Sequence, residues 1–179
     1  MWGIEQYGVE PDMMTMAKGI ANGYPLGAVI ATPAIADSLT KPSISTFGGN
    51  PVSSAAANAV LSEIEDNDLT DNCRVQGARL RAGLEAIQQQ HPRLIGEVRG
   101  MGLMQALELV VDETRGDRTP NPAAKAALFE ETKKRGLLIG AGGLYGNVIR
   151  ISPMLNVTAD EVDEALAALA ESFDAIDPS

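Results

Sequence analysis

Pro11-Asp12-Met13-Met14-Thr15-Met16-Ala17-Lys18-Gly19 decides how the rest of this chain is read. Met13 to Ala17 is a short apolar run that predicts a buried strand, and it ends on a lysine followed by a glycine. Gly19 to Gly27 is dense in turn residues and predicts a loop. Ala28 to Ala31 then predicts a second buried strand. Lys18 therefore lies beyond the carboxyl end of a strand, where α/β proteins place ligands. In a partly desolvated pocket such an amine has a lowered proton affinity and can condense with a carbonyl. Spacing alone does not separate that reading from an ordinary exposed loop lysine.

Working outward, Thr32-Pro33 opens a short helix, with proline suited to the first helical position. Ser43 to Asn50 is a polar loop containing Thr46, Gly48 and Gly49. It ends in Asn50-Pro51, a cap and first-turn proline that predict a helix to Asp66. A hydroxyl beside two glycines at a helix N-terminus can cradle an anion, because free N–H groups and the helix dipole both favour negative charge. The same pattern also serves as a plain capping loop. Ser53, Ser54, Ala55, Ala56, Ala57 and Ala59 make this a helix of small residues, able to approach its neighbours closely.

After Asn67 the pattern changes, and we divide the chain into residues 1–67 and 68–179. An amphipathic helix is predicted from Thr70 to Gln90, carrying Cys73, Leu80, Leu84 and Ile87 at helical spacing and stopped by Pro92. Ile95 to Arg99 and Leu103 to Val110 read as strands joined by Gly100-Met101-Gly102. Asp112 to Pro122 reads as a polar loop, and Ala123 to Arg135 as a helix ended by Gly136. Leu137 to Ile139 and Val148 to Ser152 read as strands. The last helix starts at Thr158 with Glu161 three residues on, a capping box, and Ala165, Leu166, Leu169 and Phe173 supply its apolar side. Strand alternation puts Arg150 on the face of Val148 and Ser152, opposite Ile149 and Ile151. A guanidinium held there presents a fixed fork suited to a carboxylate, or to a structural ion pair.

Composition removes several function classes. Twenty-four acidic residues against fourteen Lys and Arg give a net charge of −10, with no basic cluster, which argues against nucleic acid as a partner. Cys73 is the single cysteine and His91 the single histidine, so an internal disulfide, a cysteine-based zinc site and a His-pair metal site are all excluded. His91, beside Pro92, reads as a surface helix cap, and Cys73 as a small core hydrophobe. No apolar run reaches the ~20 residues needed to span a bilayer. The residues from Met1 to Gly8 lack a signal peptide's pattern, which gives a reduced, cytoplasmic setting as the expectation. Gly140 to Gly146 is followed by a strand where a dinucleotide loop needs a helix.

Four stretches carry a resemblance. Pro11 to Gly19, Thr46-Phe47-Gly48-Gly49-Asn50-Pro51, Val98-Arg99-Gly100-Met101-Gly102-Leu103-Met104 and Val148-Ile149-Arg150-Ile151-Ser152-Pro153 resemble, in order and approximate spacing, the class III aminotransferases. These are pyridoxal 5'-phosphate enzymes of fold type I. Gly136 to Gly140 followed by Gly143-Leu144-Tyr145-Gly146-Asn147 is most similar to the alanine–glyoxylate aminotransferase 2 branch. The resemblance implies an α/β fold in which residues 1–67 end a large cofactor domain and residues 68–179 form a small α+β domain. It implies that Lys18 tethers the cofactor as a Schiff base and later moves a proton, that Thr46 binds the cofactor phosphate (usually at the partner subunit's site in a homodimer), and that Arg150 holds the substrate carboxylate. The implied reaction moves an amino group from an amino acid or ω-amine to a 2-oxo acid such as glyoxylate or pyruvate. A phospho-lyase, a decarboxylating transaminase, an aminomutase or a catalytically inert assembly module are the alternatives. The family's pyridinium-facing aspartate, ring-stacking aromatic and first phosphate loop precede the segment that begins at Met1, so the chain is expected to be a C-terminal portion. Two strands leave unpaired edges, so poor solubility or self-association is also expected.

Overall fold

The computed structural model describes residues 1–177. The chain forms two compact units that part between Thr70 and Asp71.

In the first unit, β1 (Met13–Met16) pairs antiparallel with β2 (Ala28–Ala31), with Met16 opposite Ala28. Both strands form where the apolar runs predict them, but neither is buried. Val29 and Ile30 are adjacent and so point to opposite faces of the ribbon, yet they are 62% and 56% exposed. A two-stranded ribbon has no third layer to cover them, and that is the physical reason for the difference. The connection between the strands is also more ordered than a loop. Lys18–Ala21 is a turn of 3-10 helix, closed by Asn22 in the left-handed region. The short α1 (Pro33–Ala36) follows Thr32, and α2 (Pro51–Asp66) starts with Pro51 in its first turn. The Asn50 side chain caps α2 by accepting from the Ser53 backbone N–H at 2.9 Å. The 3-10 turn packs against α2, and Ala21, Ser53 and Ala57 are the buried side chains of these two elements.

The second unit is built on one sheet. α3 (Leu69–Gln90) leads into it, starting one residue before its predicted position. β3 (Ile95–Met101) and β4 (Met104–Asp112) form a hairpin, and the full order is β3, β4, β7 (Val148–Ile151), β6 (Gly140–Gly142), all antiparallel. Two strand predictions need correction. Leu137 to Ile139 is not a strand, because the ladder to β7 is made by Gly140–Gly142 instead. Within the predicted polar loop, β5 (Asp117–Pro120) pairs with β4, a strand with no apolar pattern to announce it. α4 (Pro122–Lys134) and α5 (Ala159–Ile176) complete the unit. Thr158 Oγ1 accepts from the Glu161 N–H while the Glu161 carboxylate accepts from the Thr158 N–H, which is the predicted capping box.

One face of this sheet is core. Val98, Leu107 and Ile149 sit side by side across three strands and are buried, together with Leu80, Leu84, Ile87, Leu128, Leu169 and Phe173. α3 crosses the β3–β4 turn so closely that a Cβ at Gly77 would lie 2.4 Å from the Gly102 carbonyl carbon, and Gly102 itself has φ +52°. The Asn72 amide donates to the carbonyls of Leu155 and Val157 at 2.7 and 3.0 Å, tying the segment after β7 to α3. His91 is buried rather than a surface cap, because Phe173 of α5 stacks on its ring at 5.5 Å. Its Nε2 lies 3.2 Å from Asp174, and Asp177 also pairs with Arg93. Among the described residues no helix is long and apolar enough to cross a membrane.

Candidate active site

Lys18 follows β1 and opens the 3-10 turn, with Ala17 before it fully extended. Its own φ is +55°. Among the described residues the other non-glycine positions with positive φ are Asn22 and Asp68, types whose short polar side chains tolerate that region. A lysine does not, and its left-handed backbone costs on the order of 1–2 kcal/mol. Strain of that kind persists only where the surroundings impose it, and it concentrates at functional positions. The side chain is exposed.

Thr46 opens a turn over Thr46–Gly49 directly ahead of α2. The Gly48 N–H donates to the Ser45 carbonyl at 3.1 Å, and Gly49 has φ +68°. Around the Gly49 Cα, a Cβ would meet nothing within 4 Å, so this approach to the α2 N-terminus is open. An exposed hydroxyl, a glycine turn and the positive end of a helix thus stand together.

Arg150 belongs to the second unit. In the β4–β7–β6 ladder it lies opposite Ala106 on one side and Gly140 on the other. Small partners leave the guanidinium room: a Cβ at Gly140 would lie 3.4 Å from Arg150 Nε and 3.2 Å from its carbonyl oxygen. Among the described residues Arg150 makes no ion pair, whereas Arg81, Arg99 and Arg135 all do. It borders a cavity of about 160 Å³ whose wall includes Leu80, Leu137, Ile139 and Leu166, with Ser152 and Glu161 as polar members. An exposed arginine without an internal carboxylate partner suits an anion such as a ligand carboxylate.

Burial pushes the Cys73 thiol up, which keeps it protonated and unreactive. Arg99 bridges Glu97 and Glu108, and these pairs, Glu108 foremost, outweigh the opposing effect of partial burial and push its guanidinium further toward the charged form. Among the described residues no group of three His, Cys, Asp or Glu could hold a metal ion. Arg99 lies in a stretch quoted for its resemblance but drew no role from sequence. Strand alternation is the signal that could have placed it on the face of Arg150.

A profile of the family described as "Aminotransferase class-III" matches residues 1–173. The chain belongs to that family, whose members depend on pyridoxal phosphate. It is 47% identical over 173 residues to the mitochondrial alanine–glyoxylate aminotransferase 2 homolog 2 of Arabidopsis thaliana, covering 96% of this chain and 36% of the plant enzyme. In structure it is similar to a phospholyase from Arthrobacter in complex with phosphoethanolamine, with TM-score 0.89, 37% identity, and coverage of 96% of this chain and 40% of that one. It is also similar to an S-selective transaminase from Arthrobacter sp. with alanine bound, with TM-score 0.87 and 32% identity over 99% of this chain and 41% of that one. The chain thus spans well under half the length of the relatives it matches.

The residues present fit two ends of the family's cofactor. An amine on a constrained backbone suits its aldehyde, and a hydroxyl–glycine turn at a helix N-terminus suits its phosphate.

Proposed function

We propose that this chain carries the lysine tether, a phosphate contact and the carboxylate clamp of a transaminase that moves an amino group from an amino acid or ω-amine to a 2-oxo acid such as glyoxylate or pyruvate. The observation that carries this reading is the left-handed backbone of Lys18 at the carboxyl end of β1. Bound there, pyridoxal phosphate supplies an electron sink for a carbanion. Lys18 Nζ would hold the group through its aldehyde carbon, and the same amine would move a proton at the substrate α-carbon. Thr46 and the first turn of α2 hold the phosphate dianion, at the partner subunit's site in a homodimer. Arg150 fixes the substrate through its carboxylate and so selects which α-carbon bond stands ready to break. In this reading residues 1–67 end the large cofactor domain, residues 68–179 form the small domain, and the enzyme is cytoplasmic.

Reduction with borohydride in the presence of pyridoxal phosphate, followed by peptide mapping, tests the assignment. A label concentrated on Lys18 supports it. A label spread over Lys41, Lys125, Lys133 and Lys134 leaves the inert-module reading standing. The likeness to a phospholyase gives a second reading specific weight. Phosphate released from phosphoethanolamine, with no amino transfer to pyruvate, would favour that chemistry.

A further inference from the structure

Arg99, Ala106, Arg150 and Gly140 form one continuous row across β3, β4, β7 and β6. Two residues along, Glu97, Glu108 and Val148 form the next row on the same face, since alternation sends Val98, Leu107 and Ile149 to the core between them. Two arginines and two glutamates therefore share one side of the sheet. Glu108 is the diagonal cross-strand neighbour of Arg150, about 7–8 Å away and within reach of long side chains. The ion pairs are nevertheless one-sided. Arg99 takes Glu97 at 2.7 Å and Glu108 at 2.5 Å, and Arg150 takes neither.

We infer that Arg99 is a positioning residue for Arg150: by drawing both carboxylates toward β3, it keeps Arg150 on β7 free of an internal anion and open to the carboxylate of a small-molecule ligand. This rests on the reading of Arg150 as a carboxylate clamp. Glu108 is half-buried, so its charge needs a cation nearby. If Arg99 is removed, the nearest arginine on that face is Arg150, and the two pair internally. The ligand then competes with a glutamate tethered to the same sheet, which has the advantage of high effective concentration.

Saturation-transfer NMR with butyrate as the probe, on the full 179-residue chain, tests the inference by equilibrium affinity. R99Q is expected to weaken butyrate roughly tenfold, as one charge-assisted pair replaces another. The double variant R99Q/E108Q is expected to return within twofold of the unaltered chain, a rescue that a merely structural role for Arg99 would not give. R99Q without loss, or loss without rescue, overturns the inference. E108Q alone leaves Arg99 in place with Glu97, and is expected to bind as the unaltered chain does. A threefold gain would show that Glu108 already competes for Arg150, and would overturn the inference whether or not R99Q folds. R150Q separates the two readings. If it binds butyrate as well as the unaltered chain, the clamp itself is wrong. If binding is lost in R150Q while the Arg99 variants fail their pattern, only the inference made here falls.

Discussion

Among the described residues, Ala21, Ser53, Ala57 and Leu69 are the buried side chains before Asp71, while the second unit buries Leu84, Ile95, Leu107, Leu109, Leu128, Ile149 and Phe173 almost completely. The first unit instead exposes Val29, Ile30, Leu39, Ile44, Phe47 and Val52. Hydrophobic burial is the main favourable term in folding, so the second unit can hold its own structure and the first draws little from itself. Yet the first unit carries the strained lysine and the glycine turn. Stability and the covalent chemistry of the proposed function are therefore assigned to different stretches of one chain, and substitutions should separate them.

The largest separation is expected at position 18. K18A should abolish the borohydride-trapped label, with the unfolding midpoint unmoved; a matching drop in midpoint would dissolve the contrast. In the second unit, F173A removes a fully buried ring stacked on His91 and should cost about 3–5 kcal/mol in denaturant melts. G77A should cost roughly 1–3 kcal/mol, because its methyl meets the Gly102 backbone rather than a side chain that can turn away. T158A removes one half of the capping box on α5 and should cost about 1 kcal/mol in the same melts. The smallest effect belongs to the first unit again. I30T, at an exposed strand position, should change stability by no more than about 0.5 kcal/mol. A loss of several kcal/mol there would mean the ribbon is covered in solution.

Much of this architecture was legible from residues alone, and the exceptions share a cause. α2, α3 and α5 follow from Asn50-Pro51, from the spacing of Leu80, Leu84 and Ile87, and from Thr158 with Glu161, all of which are local signals. What escaped depends on partners distant in sequence. β5 is polar and exists because β4 offers it a ladder, and the apolar Leu137 to Ile139 loses the strand to three small residues aligned with β7. Burial of His91 is decided by Phe173, far along the chain. Exposure of Val29 and Ile30 likewise reflects neighbours rather than their own hydrophobicity. Lys18, Thr46 and Arg150 were each singled out by type and position. Arg99 was not, because its part depends on which of two arginines two glutamates choose.

The left-handed lysine has a consequence for anyone evolving this protein in the laboratory. Glycine or asparagine would relax that backbone, so a library screened only for heat resistance should enrich one of them at position 18. The winners of such a contest would be hardier and mute.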